Sequence, residues 1–493
     1  MNSLREKISK YALNIPGIDK PCVVSAYADD VSIFVTADAG FTLVDQTYTA
    51  FSLASGACLN TKKSQGLWVG RWIGRSDAPL NFYWNSEGLP FLGVHLGNTV
   101  NYFKQNWVKC KERLNKTFNS WSRLSNSLSF KGKVLIANQL AASKIFHFLA
   151  VLSPPENILN ELQNLIVNFV WSNKRHWLRK EVLYEQPDEG GLGLACLQAR
   201  VLSYRFSNIQ RFLSLNSHPA NEFMAHFLRQ YCKLGFDYQL FFTRINPRLY
   251  TSLPVFYSEV LRAWLTSGAR IMTQSLSFSH AINMPLNSIY IIDATNVDNF
   301  LPARLMACGV KLVRHLINPS SGLWIEPSCL QENFRGFRPP SLRLIEHETR
   351  LLRTALSKVF PTLFNDRGCH LGESDLQTLS LMPDTPINFA LASSENGLIA
   401  SSKAVYRIYR KELNNVTTSS KSHWHDIGYL DPSTKMNWLS IYQLPTPKKE
   451  ADIQYRLLHN ILPPLTVLHH LNPDISSFCG VVWGTRNYST FVY

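Results

Sequence analysis

The sequence lacks paired cysteines, a leader with an apolar core, and long apolar runs. Its nine cysteines are scattered singly with no Cys-x-x-Cys pair, which is typical of a reducing compartment and excludes a disulfide framework or a zinc ribbon. The apolar stretch from Val134 to Leu152 is interrupted by Asn138, Gln139, Lys144 and His147. We therefore expect an intracellular protein, in the nucleus or cytoplasm, that is neither secreted nor membrane-spanning.

Acidic residues are also scarce. The chain of 493 residues has 50 Lys and Arg against 35 Asp and Glu, a net charge of +15 with neutral histidines. Because charged residues make up only 17%, the cationic surfaces have few acids to neutralise them, which favours nucleic acid or anionic membrane as a partner. With 45% hydrophobic and 12% aromatic residues the chain can build packed cores, so wholesale disorder is excluded.

Residues 1–100 alternate short apolar runs with turn signals and read mainly as strands. The apolar segments 22–27 and 31–35 flank an acidic turn and predict a hairpin without the preferred Asn-Gly. An amphipathic helix is predicted over 43–53, with Ser55-Gly56 as its stop, and a short strand over 91–96.

From about residue 101 the apolar period changes from two to 3.6, which predicts long helices as far as about 215. The predicted helices are 103–128, 131–152 and 156–171, with a break at Pro154-Pro155. Farther along, helical patterns occur near 255–275, 300–317, 340–360 and 450–470. We place domain borders near residues 100 and 220.

The window 101–150 is the most one-sided in charge. It contains one acid, Glu112, and nine basic residues, at 104, 109, 111, 113, 116, 123, 131, 133 and 144. We expect this face to bind phosphates without reading bases, although a merely solvated face is the alternative. The expected contacts are Lys104, Lys109, Lys116, Lys131 and Lys133. Trp107, Phe118 and Trp121 lie among these charges, and at helical spacing we expect core positions for most of them.

The tetrapeptide Tyr27-Ala28-Asp29-Asp30 places two adjacent carboxylates at the tip of an apolar hairpin. Two such charges repel each other, and a divalent cation resolves the conflict. Oxygen ligands on strands suit Mg²⁺, which completes its shell with water and substrate phosphates. A solvated Asp-Asp turn is the other interpretation of the tetrapeptide alone.

The segment SAYADDVSIFV resembles the YxDD box of the reverse transcriptases of non-LTR (LINE-type) retrotransposons. Further elements follow in the order of that family. They are the Gly, apolar, Asn, Lys-Ser pattern over 56–64, the Phe91-Leu92-Gly93-Val94 primer-grip-like hairpin, and a thumb-like pattern from Trp121 through Phe169-Val170-Trp171 to Gly190-Gly191-Leu192. The resemblance is convincing over residues 1–215 and weaker beyond.

The resemblance implies a role for each matching residue. Asp29 and Asp30 would be catalytic metal ligands for Mg²⁺, and Lys63 would donate a proton to the pyrophosphate leaving group. Tyr27 would sit near the primer end, and Phe91, Leu92 and Gly93 would steady the primer strand. The implied partners are an RNA template and a DNA primer. A plain loop lysine at 63 and an ordinary edge strand over 91–93 are the alternatives.

The sequence also departs from the family. The resemblance implies a two-metal site with another aspartate on a separate strand upstream of the YxDD box, yet the residues before Asp29 offer only Glu6 and Asp19. Residues 452–479 resemble the helix before a zinc-knuckle-like segment, but no second cysteine follows Cys479. The sequence thus indicates a truncated fragment that lacks the fingers, is inactive alone, and does not bind Mg²⁺ productively.

The expected fold is α+β. We expect a partial reverse-transcriptase palm with the YADD hairpin over 1–100, a helical basic thumb-like region over 101–215, and a mostly helical region over 216–493, truncated before the zinc-knuckle-like segment. The interpretation as a polymerase fragment has two alternatives, a nucleic-acid-binding module without chemistry and an unselected retrotransposon relic.

Overall fold

The computed structural model describes most of the chain up to residue 462. The described residues are 6–7, 9–14, 24–27, 30–214, 218–231, 236–243, 252–272, 276–288, 302–369, 386–391, 401–414, 426, 437–443 and 447–462. The chain forms two compact units. Unit 1 consists of Met1–Leu89 with Leu202–Val405, and unit 2 consists of Pro90–Val201 with Tyr406–Tyr493.

Helices dominate the described part of the chain. They are α1 (Asp38–Ser55), α2 (Val100–Ser122), α3 (Phe130–Leu135), α4 (Ser143–Val151), α5 (Glu156–Val170), α6 (Lys180–Tyr184), α7 (Leu197–Leu213), α8 (Pro219–Tyr231), α9 (Val255–Thr266), α10 (Phe278–Ile282), α11 (Ala303–Ala307), α12 (Pro327–Glu332), α13 (Leu342–Val359), α14 (Ser402–Leu413) and α15 (Lys448–Leu458).

The described strands are short and pair two by two. They are β1 (Val24–Tyr27), β2 (Asp30–Ile33), β3 (Gln65–Leu67), β4 (Tyr83–Asn85), β5 (Gly88–Phe91), β6 (Val94–Gly97), β7 (Arg270–Ile271) and β8 (Phe389–Ala390). The pairs are β1 with β2, β3 with β4, β5 with β6, and β7 with β8. Strands β3 and β4 run parallel, whereas β1 and β2, and likewise β7 and β8, run antiparallel.

In unit 1, the β1–β2 hairpin packs with α1. Val24 and Val44 are buried in one small apolar cluster, with Ile33, Leu43 and Tyr48 packed against it. Gly56 ends α1 in the left-handed conformation, with φ of 70°, and its N–H donates to Ser52 O. The predicted hairpin and the predicted stop of the helix at Ser55-Gly56 are both confirmed.

A tryptophan stack follows α1 in unit 1. The rings of Trp68 and Trp84 stack with centroids 4.0 Å apart, and Phe41 of α1 meets both rings edge-on. Gly66 lies directly against Trp84, since a Cβ at residue 66 would come within 2.3 Å of that ring. A glycine is therefore required there for β3 to run beside β4.

Farther along unit 1, the predicted helix over 300–317 is wrong in its length. Helix α11 covers only Ala303–Ala307, and Gly309 ends it with φ of 83°. The buried carboxylate of Glu348, on α13, accepts hydrogen bonds from the N–H groups of Arg304 and Leu305. The first N–H groups of a helix have no acceptor within the helix itself, and Glu348 accepts from two of these groups in α11.

In unit 2, α2 is the central helix, and β6, α4 and α5 pack against it. Its buried face carries Trp107, Cys110, Leu114 and Phe118 at spacings of three and four residues. Phe118 stacks on Phe169 of α5 with ring centroids 4.5 Å apart. The prediction that Trp107 and Phe118 belong to the core is therefore confirmed.

Three amide side chains on unit 2 helices bond to extended backbone. Asn106 accepts from His95 N–H at 2.7 Å and donates to His95 O at 2.8 Å. Asn138 donates to Gly193 O and accepts from Ala195 N–H, both at 2.9 Å. Gln163 donates to Ala195 O and accepts from Leu197 N–H. These three amides satisfy backbone groups that would otherwise be buried without partners.

Residues 130–151 form one helical run that contains a π-helical segment, Ile136–Ala142, between α3 and α4. By length and composition alone the run could cross a membrane, a test that core helices of soluble proteins also pass. Its Val134, Ile145 and Phe148 are buried. Pro154-Pro155 separates it from α5, as the sequence predicts.

Helix α15 packs against α3, at the far end of unit 2 in sequence. The carboxylate of Asp452 accepts from Phe130 N–H, the first N–H of α3, at 3.0 Å. His459 Nε2 lies 2.7 Å from Gly190 O, and its ring stacks on Trp438. Because Gly190 O is an acceptor, Nε2 carries the proton and donates it to this carbonyl.

His459 predicts a pH-dependent stability. Burial lowers its pKa to about 4, although the bond to Gly190 O opposes the shift. Between about pH 6.5 and pH 4 the unfolded chain gains a proton that the folded chain excludes, so the free energy of unfolding falls as the pH falls. The expected loss reaches about 3 kcal/mol at about 1.36 kcal/mol per unit of pKa. The measurement is urea denaturation of the chain across this pH range.

His459→Gln is the matched control, because glutamine keeps an N–H donor and does not titrate. As the pH falls from 6.5 to 4, the free energy of unfolding should fall further in the wild type than in H459Q. Parallel profiles for the two proteins over that range would contradict the assignment.

Most long helices lie close to their predicted places. Helix α2 corresponds to the helix predicted over 103–128, α13 to the one over 340–360, and α15 to the described part of the one over 450–470. Helix α9 corresponds to the helix predicted over 255–275 but ends at Thr266. The predicted strand over 91–96 is wrong, because a turn at residues 92–93 divides it between β5 and β6. The helices and short strands are compatible with an α+β fold, and the palm, the thumb and the domain borders stay predictions.

Candidate nucleic-acid interface

The two described residues of the YADD tetrapeptide are exposed. Tyr27 and Asp30 are paired across β1 and β2, and both side chains point into solvent, with Tyr27 69% exposed. Asp29 lies outside the described residues. Among the described residues no group of three His, Cys, Asp or Glu side chains comes close enough to hold a metal ion. Asp30 is the one acid of the tetrapeptide that the structure describes, and its carboxylate does not by itself make a Mg²⁺ site.

Lys63 lies in the turn after α1. Its backbone N–H donates to the side-chain Oδ1 of Asn60 at 3.1 Å, and its own side chain is exposed. An asparagine that bonds to backbone three residues ahead is typical of a tight polar turn. This geometry fixes the backbone at Lys63 and leaves the ammonium free to meet an anion.

The β5–β6 hairpin turns through two residues with positive φ. Leu92 has φ of 46° and Gly93 has φ of 82°. Two consecutive positive φ angles match the right-handed twist of a hairpin, but only glycine and asparagine adopt them readily. Leu92 is therefore strained, and a strained residue at an exposed turn needs contacts that hold it in place.

Two side chains, Lys109 and His147, supply such contacts. Lys109 Nζ, on α2, donates to Gly93 O at 3.2 Å, and His147 Nε2, on α4, lies 3.1 Å from Leu92 O. Both turn carbonyls are thus bonded to the helices beneath them. Phe91 is half-buried, whereas Leu92 and Gly93 are exposed, so the turn is fixed from below and accessible from outside.

Further cations continue this line between α2 and α4. Arg113 Nη1 donates to Lys144 O at 3.0 Å, and Lys144 Nζ donates to Thr117 Oγ1 at 2.9 Å. Lys109, Arg113 and Lys116 follow at spacings of four and three, which places them on one face of α2. We call the four cations Lys109, Arg113, Lys116 and Lys144, together with the imidazole of His147, the cationic seam.

No described acid pairs with the side chains of the cationic seam. Within the described residues, none of its five side chains forms an ion pair with a carboxylate. Their hydrogen-bond partners are carbonyls and a hydroxyl, which carry no net charge. The seam therefore keeps its positive potential and favours a polyanion.

The other predicted phosphate contacts lie elsewhere in unit 2. Lys104 is exposed on α2, seven residues before Lys111, whose ammonium pairs with Glu161 of α5. Seven residues are close to two helical turns, so Lys104 and Lys111 share a face that is separate from the seam. Lys131 is exposed at the start of α3, with its ammonium 5.8 Å from the ring centroid of Tyr442.

The sequence predicts that Lys133 contacts phosphates at the surface, but the structure places it in the interior. Its side chain is buried, and Nζ donates to Ser172 Oγ at 2.7 Å. Burial lowers the pKa of its ammonium, and the charge of Asp452 opposes the shift. A lysine enclosed in this way supports packing and cannot reach a phosphate in this arrangement. Trp107 and Phe118 are likewise buried, while Trp121 is only half-buried.

Sequence reasoning counted Arg113 and Lys144 among the basic residues but could not group them with His147. The available signal was the helical spacing of 109, 113 and 116 on one segment and of 144 and 147 on the next. Joining the two segments requires knowing that α2 and α4 are neighbours, which only the packing of unit 2 establishes.

Gly93 predicts a specific response to substitution. Nothing lies within 4 Å of a Cβ built at this position, so the only penalty of a side chain is the strain of positive φ. We expect Gly93→Val to destabilise the hairpin by about 1–2 kcal/mol, and Gly93→Asn to cost less. Hydrogen exchange of the His95 amide, bonded to Asn106, measures the loss. Equal exchange rates in the two variants would refute the turn geometry.

The chain is similar to one curated transposon protein. No protein-family model matches it. It is 25% identical, over 518 aligned residues, to a protein of Xenopus laevis called the transposon TX1 uncharacterized 149 kDa protein. The alignment covers 97% of this chain and 38% of the relative, so the chain spans well under half the length of the relative that it matches. The chain is therefore related to a transposon protein along nearly its whole length.

Proposed function

We propose that the chain is part of the RNA-directed DNA polymerase of a non-LTR retrotransposon, and that its cationic seam holds an RNA–DNA hybrid by the phosphates. The observation that carries the proposal is the seam itself, a line of four cations and His147 that have no acidic partner among the described residues and lie beside a fixed hairpin turn. The relationship to a transposon protein and the YADD hairpin upstream support the polymerase assignment.

The dimensions of the seam suit a nucleic-acid backbone. Lys109 and Lys116 are seven residues apart, which is about 10 Å along a helix at 1.5 Å per residue. Successive base pairs rise about 3.4 Å. The α2 side of the seam can therefore meet more than one phosphate of the same strand, while Lys144 and His147 approach from α4.

Binding of this kind positions the duplex without reading its sequence. Lysine and arginine side chains that contact phosphates release condensed counterions, and the affinity then falls steeply as salt rises. A polymerase that copies any template needs this sequence tolerance. In this proposal, the exposed turn at Leu92 and Gly93 approaches the primer strand, next to the cations that fix it.

A nucleic-acid-binding module without chemistry is the second candidate function. The observation that favours it is the isolation of the YADD hairpin, since β1 and β2 pair only with each other among the described strands. In the family that the sequence resembles, the metal site needs a further aspartate on another strand. We derive no catalytic step from Asp30 alone, and Mg²⁺ would require Asp29 and additional oxygen ligands.

The hybrid-binding proposal predicts a side-specific effect on α2. Lys109→Gln combined with Lys116→Gln should weaken binding of a labelled RNA–DNA hybrid about tenfold or more at low salt. It should also reduce the slope of log affinity against log salt by about two, because two phosphate contacts are lost. Fluorescence anisotropy across a salt series measures both quantities.

The matched control is Lys104→Gln combined with Lys111→Gln, which removes the same charge from the other face of α2. We expect this pair to change the salt slope much less, and it also tests whether Lys104 contacts phosphates. An equal loss in both double variants would indicate a response to net charge alone and would contradict a defined interface.

The metal site predicts that the 493-residue polypeptide has no primer extension activity. On a poly(rA) template with a DNA primer and Mg²⁺ or Mn²⁺, we expect no product, because the residues before Asp29 offer only the acids Glu6 and Asp19 and the sequence around neither has the pattern of an apolar strand. Gel analysis of a labelled primer measures extension. Extension that disappears in Asp29→Asn would show that the site is complete and would overturn this prediction.

A further inference from the structure

A second basic surface lies in unit 1, in the loop 333–340 between α12 and α13. At its centre is Phe337, whose side chain is 100% exposed. An aromatic ring left wholly in water forgoes the stabilisation that burial provides. A single exposed apolar side chain is ordinary on a protein surface, so the case for a binding role depends on how this one is held and on its surroundings.

The loop is held at both of its ends. Gln331 Nε2 donates to Pro340 O at 2.7 Å, and Phe334 N–H donates to Gln331 O at 3.0 Å. Pro339 and Pro340 restrict the backbone on the C-terminal side. Gly336 lies against the ring of Phe334, where a Cβ would come within 2.2 Å of that ring. The segment therefore presents Phe337 from a backbone that is constrained before any ligand binds.

The surroundings of Phe337 are cationic. Arg335 and Arg338 flank it, Arg343 follows at the start of α13, and all three are exposed. None of these guanidinium groups is ion-paired within the part of the chain that the structure describes. The sequence contains no acid between Glu332 and Glu346. We call the segment 333–343 the arginine loop.

We propose that the arginine loop binds single-stranded nucleic acid, with Phe337 stacked on one base and Arg335 and Arg338 bonded to the adjacent phosphates. An unpaired base offers a flat face to an aromatic ring, and every base has such a face, so the contact tolerates any sequence. Guanidinium groups match phosphate oxygens with two parallel N–H donors and also stack on bases.

The chemistry of the loop favours this ligand over others. A duplex keeps its bases stacked on each other, so it offers Phe337 no free face. A lipid surface needs more apolar area than one ring at the tip of a loop, together with its charge attraction. An acidic peptide would engage the arginines but would leave the exposed ring without a partner. Only an unpaired strand uses both the ring and the charges.

The first experiment separates stacking from charge. The full chain is titrated with a fluorescent oligouridylate at several salt concentrations. Phe337→Ala should weaken binding about tenfold with little change in the salt slope, because stacking releases no counterions. Phe337→Tyr, which keeps the ring, should bind as the wild type does. Leu323→Ala, at another exposed apolar residue of unit 1, is the matched control and should have no effect.

The charge contribution has its own pair of variants. Arg338→Gln should lower the salt slope by roughly 0.7, the value for one phosphate on a single strand. Arg350→Gln, which removes the same charge from an exposed position on α13, should leave the slope unchanged. Equal slopes for R338Q and R350Q would contradict a phosphate contact in the loop.

Crosslinking locates the contact independently of affinity. An oligouridylate that carries 4-thiouridine should crosslink under ultraviolet light to the peptide that contains Phe337, as identified by mass spectrometry. The same experiment with Lys109→Gln and Lys116→Gln should give the same crosslink, so failure of the cationic seam and failure of the arginine loop are distinguishable. Crosslinks confined to other peptides would overturn the proposal. The proposal would also be overturned if F337A bound oligouridylate as the wild type does but no longer bound phosphatidylserine vesicles.

Discussion

The arrangement of unit 2 depends on helix-borne amides that bond to extended backbone. Asn106, Asn138 and Gln163 each use both the donor and the acceptor of one amide on a neighbouring segment. The segments they hold, around His95 and from Gly193 to Leu197, have buried polar groups, and the described strands pair only two by two. Without these amides, the cost of dehydrating bare N–H and C=O groups would oppose their packing against the helices.

The candidate interface inherits its geometry from one of these amides. Asn106 fixes β6 on α2, and β6 fixes the end of the turn at Leu92 and Gly93. Only then do Lys109 and His147 lie within reach of the turn carbonyls. The hairpin is thus held by the amide of Asn106 in the interior and by Lys109 and His147 at the rim, and its strained backbone persists because both sets of contacts act on it.

Several parts of this arrangement could be read from the sequence because they depend on local chemistry. Pro154-Pro155 and Gly56 interrupt helices through their own backbone restrictions, so their effects need no knowledge of the fold. Lys133 could not be assigned in the same way, because it follows Lys131 by two residues and the two differ only in which side of α3 the core covers. The turn at Leu92 was equally hidden, since leucine is a poor predictor of positive φ and is held there by contacts from distant helices.

The cationic seam and the arginine loop also show why a count of charges is a poor guide to binding. Arg75 forms hydrogen-bonded ion pairs with Asp38 and Asp77, and Lys111 pairs with Glu161, so these cations attract little else. Lys109 instead bonds to a carbonyl, which orients the ammonium but cancels none of its charge. An ammonium has three N–H donors, and one bond to Gly93 O leaves two for a phosphate. Neutral acceptors therefore position the seam for an anion without competing with it, and this distinction, more than the net charge of +15, determines which basic residues are available to a nucleic acid.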